Sequence, residues 1–217
     1  MTPLLYPGSP HIHPYPTGED LVDSSHSPYR VWTPEQSLLV LGYSQEQEKE
    51  LRMDAVRDTG MPVYRRKGGG GAVLLTPGTV CIALRLKRRR EFGIRDYFAL
   101  ANGWVRDTLR GETGLELQPR GISDLAHGER KVLGSSLYLP RDCALYLGSL
   151  LVDSPLALLD RFLAHPSREP EYRQGRPHSA FLRNLAEIPG LGFLTPAMAG
   201  EMLRERLARE PAEAFAE

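Results

Sequence analysis

Short runs of alternating or continuous apolar residues recur along the chain and are separated by glycine, proline and charged residues. Runs of this length, rich in Val, Leu, Tyr and Thr, predict β-strands. The predicted strands are residues 29–32, 37–41, 63–66, 72–75, 79–86, 121–125, 131–139 and 144–152. Between them, residues 97–109 repeat apolar positions every three or four residues, which predicts an amphipathic helix. The pattern therefore combines a sheet with at least one long helix.

Three further helices are predicted from their spacing and end signals. Residues 46–58 are polar with a few apolar positions and are followed by Gly60, a typical helix terminator. Residues 156–164 follow Asp153 and Ser154, either of which predicts an N-cap. Residues 196–208 form the last amphipathic pattern. Runs of strands with helices between some of them indicate the α+β class, with a mixed or antiparallel sheet flanked by helices.

The chain divides into one main domain with an appendage at its start. Residues 1–27 are rich in Pro, His, Gly and Ser without a clear period, which predicts an irregular arm. Residues 28–186 carry the strand and helix pattern, and residues 187–217 are interpreted as a helical extension of the same domain. A length of 217 residues suits one large domain with such additions.

Composition and charge narrow the function classes. The chain is 41% hydrophobic and 25% charged, which is ordinary for a globular protein. Its net charge of zero argues against a dedicated nucleic-acid binder. The sequence shows no signal peptide and no apolar stretch of membrane-spanning length, so we expect a cytoplasmic protein without a membrane partner. Cys81 and Cys143 do not form a disulfide framework, and Cys81 is expected in the core.

One glycine-rich segment is the first candidate for chemistry. Arg65, Arg66 and Lys67 precede four glycines, Gly68 to Gly71, and apolar runs lie on both sides. Glycine allows a close backbone approach, and successive N–H groups can form a concave anion site. Arginine and lysine add charge and hydrogen bonds for phosphate or carboxylate oxygens. The segment therefore indicates a loop that holds an anionic, phosphorylated ligand, although a flexible hairpin turn with solvated charges fits it equally well.

A lysine at the start of a strand is the second candidate. Lys131 opens an apolar run and is followed by Gly134, Ser135 and Ser136. In such a place it could stabilise negative charge that develops on a carbonyl or phosphate oxygen. The alternative is an edge-strand lysine whose stem packs while its ammonium group stays in water.

Five motifs in order give the chain a family resemblance. It resembles the lipoate–protein ligase and octanoyltransferase family, which is related to biotin–protein ligases. The motifs are Val31 to Gln45, Arg65 to Val73, Lys131 to Ser136, Cys143 to Asp153, and Tyr172 to His178 with Asn184 and Leu185.

The resemblance implies a fold, a reaction and a set of site residues. The fold is the catalytic domain shared with biotin ligases and class II aminoacyl-tRNA synthetases, over residues 28–186. The reaction is ATP-dependent activation of lipoate, with Mg²⁺, to lipoyl-AMP, followed by transfer to a lysine of a lipoyl carrier domain; an accessory subunit is a further implied partner. Lys131 is the implied catalytic residue, and no protein metal site is expected. The implied substrate-binding residues are Arg65, Arg66, Gly69, Gly70, Gly71, Ala72, Gly134, Ser135, Ser136 and Gly148, with Trp32, Val40, Gly42 and Leu150 around the acyl tunnel.

Departures from the family pattern keep other functions open. Tyr43 and Leu147 stand where the family has arginine and histidine. A cysteine-dependent acyltransferase that uses an acyl carrier is a second hypothesis, although the segment before Lys131 has no cysteine. A non-catalytic module that binds an acyl group or carrier is a third, and a biotin ligase is a fourth. Because the chain ends soon after the core, activation is expected to need its own loops or a partner chain.

Overall fold

The structure, a computed structural model, describes residues 12–14 and 27–216 and contains two β-sheets. The larger sheet is antiparallel and has the strand order β2-β6-β10-β9-β8-β7. Its strands are β2 (Tyr29–Trp32), β6 (Thr79–Lys87), β7 (Gln118–Arg120), β8 (Asp124–His127), β9 (Arg130–Tyr138) and β10 (Cys143–Leu151).

The smaller sheet has four strands in the order β1-β4-β3-β5 and is mixed. Its strands are β1 (Ile12–Pro14), β3 (Leu38–Leu41), β4 (Val63–Arg65) and β5 (Val73–Leu75). Strand β4 pairs in parallel with both β1 and β3, whereas β3 and β5 are antiparallel. The glycine-rich segment connects β4 to β5, so both of its ends are fixed by this sheet.

Six α-helices complete the described part of the chain. They are α1 (Gln47–Glu50), α2 (Met53–Thr59), α3 (Ile94–Thr113), α4 (Ala157–Phe162), α5 (His178–Phe181) and α6 (Pro196–Ala208). Helices α3 and α6 pack together, and α3 contacts the larger sheet. The main core lies between them, where Tyr97, Leu109, Ile82, Leu84 and Tyr146 are almost fully buried. The expected α+β fold is confirmed.

The other side of the larger sheet faces the smaller sheet and the α4–α5 region. Val40 and Leu75 from the smaller sheet pack against Cys81, Ala83 and Leu147 from the larger one. A separate apolar cluster joins the smaller sheet to α4 and α5. The protein thus has one core behind the larger sheet and two smaller apolar clusters in front of it, where the strands of both sheets converge.

Several predicted element boundaries are wrong, each for a tertiary reason. The helix predicted for residues 46–58 is two helices, because Leu51 forms a bridge to Leu163 and Arg52 N–H donates to the Phe162 carbonyl. Neither Asp153 nor Ser154 caps α4, which begins after Leu156 without a side-chain cap. The Ser154 hydroxyl instead joins a buried hydroxyl cluster.

Other boundaries in this region also differ. The strand predicted at 121–125 is β8, three residues later, and the short edge strand β7 was not predicted. By contrast, Cys81 is buried as expected. The predicted irregular arm, residues 1–27, lies mostly outside the described residues, apart from strand β1 and Ser27.

A β-bulge interrupts the pairing of β8 with β9. Leu125 pairs with Leu133, but the next residue, Ala126, pairs with Lys131, so Val132 is the extra residue on β9. Val132 and Leu133 consequently both pack into the core behind the larger sheet. The alternation of β9 is therefore reset at its first turn, which changes the face on which Lys131 lies.

Candidate active site

A cavity of about 610 Å³ opens in front of the larger sheet. Its floor is formed by β6, β9 and β10, one wall by β5 and the glycine-rich segment, and the opposite wall by residues 159–182. This volume is typical of a small-molecule site. The wall is apolar over Val40, Leu74, Leu75, Leu147 and Phe181, whereas charged groups gather around Lys131 and around residues 168–178.

The glycine-rich loop is a defined structure and not a flexible turn. Arg66 is buried, and its guanidinium donates to the Gly69 carbonyl at 2.8 Å and to the Gly71 carbonyl at 2.7 Å. Gly70 has φ +93°, a conformation that favours glycine. A Cβ on Gly42 would lie 2.1 Å from the Gly70 carbonyl oxygen, so two backbones meet here where no side chain fits.

Arg65 occupies a different position from Arg66. Its Nη1 donates to three carbonyl oxygens, those of Gly42, Tyr43 and Gln45, at 2.8, 3.0 and 2.7 Å. Burial lowers the pKa of Arg65 below its usual value. Arg65 does not line the cavity. Its guanidinium ties the turn after β3 to the base of the glycine loop and supports the site from outside.

Lys131 lines the cavity as one half of an ion pair. Its Nζ lies 2.8 Å from Asp124 Oδ1, and Asp124 is only 5% exposed. The Tyr172 hydroxyl donates to the other carboxylate oxygen at 2.9 Å. Burial first, and the Asp124 charge second, raise the pKa of Tyr172, so the phenol stays protonated and remains a donor. The carboxylate thus holds the lysine from one side while leaving its ammonium group at the cavity surface.

The bulge in β9 accounts for the orientation of Lys131. In a regular strand, residues three apart point to opposite faces. Here a Cβ on Gly134 would lie 2.6 Å from both Cε and Nζ of Lys131, so the two residues share a face. Glycine at position 134 leaves the space through which the lysine side chain passes.

A buried polar network supports the floor of the site. Ser135 Oγ donates to the Ser123 carbonyl at 2.6 Å, and Tyr146 donates to Asn102 Oδ1 at 2.7 Å. Burial raises the pKa of Tyr146. A Cβ on Gly148 would lie 2.8 Å from the Tyr146 hydroxyl oxygen. The floor beneath Gly148 is therefore closed by an aromatic side chain, which fixes the depth of the cavity.

The structure brings most of the predicted site residues together. Those that line the cavity are Trp32, Val40, Arg66, Gly70, Gly71, Ala72, Lys131, Gly134, Ser135, Ser136 and Gly148. Arg65, Gly69 and Gly42 lie outside its lining and shape the loop from behind. Leu150 is on the opposite face of β10, in the core beside α3, because strand alternation turns it away.

Sequence reasoning did not single out several charged residues of the cavity wall. They are Asp124, Arg168, Glu169, Arg173 and His178. Asp124 stands seven positions before Lys131, and only the β8–β9 hairpin brings the two together. A hairpin turn at Gly128 was the one signal in the sequence that could have suggested this pairing.

Metal and membrane signals are both absent from the described residues. In residues 12–14 and 27–216, no group of three or more His, Cys, Asp or Glu side chains could hold a metal ion. Over the same ranges no helix is long and apolar enough to cross a bilayer.

Relatives by sequence carry related names. A provisionally named lipoate-protein ligase A of Aeropyrum pernix is 29% identical over 74% of this chain and 60% of its own length. The lipoate-protein ligase A subunit 1 of Thermoplasma acidophilum is 26% identical over 60% of this chain and 53% of its own length. The chain therefore spans little more than half the length of these relatives.

Solved structures with a similar fold belong to the same group. A lipoate-protein ligase A bound with ATP has a TM-score of 0.70 at 22% identity, covering 83% of this chain and 70% of that one. A bipartite ligase with its E2 lipoyl domain from Thermoplasma acidophilum also has a TM-score of 0.70, at 20% identity, covering 83% and 69%. At these identities the likeness concerns the fold.

The family model described as the lipoyl protein ligase A/B catalytic domain matches residues 20–210. This range includes the glycine loop, the Lys131 strand and both walls of the cavity. The chain belongs to the lipoyl protein ligase A/B catalytic domain family.

Proposed function

We propose that the chain catalyses acyl transfer through an acyl-adenylate: lipoate and MgATP give lipoyl-AMP and pyrophosphate, and the lipoyl group passes to a lysine of a carrier domain. The observation that carries this proposal is the Lys131 ammonium group. It lies at the cavity surface, 2.8 Å from Asp124, on the same face as Gly134 and Ser136.

The two ends of the cavity suit the two ends of an acyl-adenylate. The apolar wall around Val40, Leu75 and Leu147 would take the acyl chain, because burying methylene groups there is favourable. The polar end offers the glycine loop and Lys131 to the phosphate. Lys131 would hold the phosphate and carbonyl oxygens, stabilising negative charge as the carrier lysine attacks.

Asp124 has a supporting role in this scheme. Its carboxylate accepts from Tyr172 and pairs with Lys131, so it restricts the lysine to one region of the cavity. A positioned cation costs less reorganisation in the transition state than a mobile one. Mg²⁺ would arrive with the nucleotide, since it commonly binds through phosphate oxygens and water with one or two carboxylates.

A partner chain and a cytoplasmic location are part of the same proposal. The bipartite Thermoplasma ligase is one structural neighbour, and this chain spans just over half of its sequence relatives. We infer that residues 28–186 form the catalytic unit with residues 187–217 as its extension, and that a separate accessory subunit assists adenylation. The two free buried cysteines suit a reducing compartment.

Cys81 motivates the alternative of a thioester-forming transferase. It lines the cavity, whereas Cys143 pairs with the far end of β6 and lies outside the lining. A Cys81→Ala variant that keeps full activity would exclude the alternative, and an acyl mass on Cys81 would establish it.

The test is intact-mass analysis of a lipoyl-domain acceptor after incubation with the protein. One tube contains lipoate and MgATP, and a parallel tube contains pre-made lipoyl-AMP. A mass gain in both establishes the whole reaction, and a gain with the adenylate alone assigns activation to a partner. Lys131→Ala should abolish the gain in both, while Lys87→Ala, an exposed lysine at the end of β6, should not. No gain with the wild type in either tube would refute the proposal.

A further inference from the structure

Arg173 is a buried arginine with one unsatisfied nitrogen at the cavity wall. The residue is 5% exposed, and its Nε donates to the Arg176 carbonyl at 2.9 Å and lies 3.3 Å from Glu169 Oε2. Its guanidinium carbon is 5.0 Å from the centroid of the Phe181 ring. Nη2 has no hydrogen-bond partner among the described residues. A buried donor without an acceptor costs about 1–3 kcal/mol, so its retention indicates that a ligand supplies the acceptor.

The surroundings of Arg173 form a second polar region of the cavity, away from Lys131 along the sequence and on the opposite wall. His178 is 8% exposed and lines the same wall, and Arg168 lies at its exposed rim. His178 N–H donates to Asp160 Oδ1, and the ring Nδ1 is 3.4 Å from the same oxygen. Burial, and then the charge of Arg173, lower the pKa of His178 to about 4, so the ring is neutral at neutral pH.

The cations near the glycine loop are already committed to other groups. Arg66 donates to the loop carbonyls, Arg65 to the carbonyls after β3, and Lys131 is paired with Asp124. A nucleoside triphosphate brings three phosphates, and only the one bonded to the adenosine stays in an adenylate. The other two need cations of their own. Arg173 and Arg168 are the remaining cations of the cavity lining within the described residues.

We propose that Arg173, with His178 and Arg168, forms a subsite for the pyrophosphate group of the nucleotide. The inference rests on the proposed adenylation. In that step a carboxylate oxygen of the acyl substrate attacks the α-phosphorus, the bond from that phosphorus to the bridging oxygen breaks, and pyrophosphate leaves with the electron pair. The Nη2 hydrogens of Arg173 would bind the negative charge that develops on the leaving group.

Two nearby acids set the strength of this subsite. Glu169 neutralises part of the Arg173 charge and also accepts from Gly175 N–H and pairs with His165. Asp160 accepts from the backbone N–H groups of His178 and Ser179. The subsite is therefore only weakly positive without its ligand. Such a balance suits a leaving group that must depart after each turnover.

The first test measures binding of inorganic pyrophosphate with Mg²⁺ to the full chain by calorimetry, with AMP in a parallel series. Arg173→Gln should weaken pyrophosphate binding by about 10-fold to 100-fold, the range for a lost hydrogen bond to a charged group, and should change AMP binding by less than about threefold. Arg204→Gln, whose side chain pairs with Glu201 outside the cavity, is the control and should bind both as the wild type does. Wild-type protein that does not bind pyrophosphate, or equal losses for pyrophosphate and AMP, would overturn the inference.

The second test compares the two half-reactions, with any accessory subunit present. Arg173→Gln should slow formation of lipoyl-AMP from lipoate and MgATP at least tenfold more than it slows transfer from pre-made lipoyl-AMP. Equal slowing of both half-reactions would contradict the subsite while leaving the proposed function in place. Failure of the wild type with pre-made lipoyl-AMP would instead contradict the proposed function. Because Arg173 is buried, Arg168→Gln at the exposed rim provides a second variant and should show the same preference, with a smaller ratio.

Discussion

Gly134→Ala should displace the Lys131 ammonium group without removing it. A Cβ at position 134 would lie 2.6 Å from both Cε and Nζ of Lys131, whereas ordinary contacts are 3.4–4 Å. The far end of a flexible side chain can move, so the lysine head should shift by about 1 Å and the backbone should stay in place. The 2.8 Å pair with Asp124 would then be lengthened or lost.

The magnitude follows from the different sensitivity of folding and catalysis to that shift. A misplacement of about 1 Å at a reacting centre can cost about 100-fold in rate. The same shift breaks one partly exposed ion pair, so the free energy of unfolding should change by less than about 1 kcal/mol. The variant should therefore be folded and poorly active.

Two glycine variants provide matched comparisons. Gly103→Ala lies within α3 with nothing within 4 Å of its Cβ, so it should keep full activity. Gly42→Ala places its Cβ 2.1 Å from a backbone oxygen of the glycine loop, so it should lower both stability and activity.

The assay is single-turnover lipoyl transfer from pre-made lipoyl-AMP to a lipoyl domain, followed by intact mass, alongside urea unfolding. Wild-type transfer rates in Gly134→Ala would refute the role given to the Lys131 position. A loss of stability as large as that of Gly42→Ala would refute the claim that only the lysine head moves.

Three further predictions concern stability. Gly78→Ala should lower the free energy of unfolding by more than about 2 kcal/mol, because its Cβ would lie 2.1 Å from the Asp153 carbonyl oxygen; a urea midpoint equal to that of the wild type would contradict this. Tyr172→Phe should cost about 1 kcal/mol in the same measurement, since Asp124 loses a donor at 2.9 Å, and a stabilised variant would argue against that bond. His178 has its pKa lowered to about 4 in the folded state, so the unfolded chain takes up a proton first as the pH falls from about 6.5 to 4, and stability should drop by up to about 3 kcal/mol. The loss should be smaller in His178→Gln, and an unchanged pH profile in that variant would assign the effect to other groups.

Local sequence signals predicted the elements whose ends are set locally. Strand β2 and helix α6 have the predicted bounds, and Gly60 ends α2 in the left-handed conformation. Helix α6 also has a side-chain cap, since Thr195 accepts from Met198 N–H. Such signals act within a few residues, which explains their success.

Features that depend on distant partners were not predictable in this way. The polar pattern of residues 46–58 continues through Leu51, and only its bridge to Leu163 divides the helix. The position of Arg65 outside the cavity depends on three carbonyl oxygens brought together by the turn after β3. Asp124 likewise gained its importance from the hairpin that places it beside Lys131.

The extra residue in β9 means that the orientation of Lys131 is encoded by chain length and not by side-chain chemistry. Removing Val132 would give β8 and β9 an uninterrupted ladder, which is the more regular pairing, yet it would turn the lysine toward the hydrophobic core. A comparison of related sequences at this position should accordingly count residues between Asp124 and Gly134 before comparing their identities. One insertion or deletion there would matter more than most substitutions, and the irregular ladder is the cost of directing an ammonium group into the cavity.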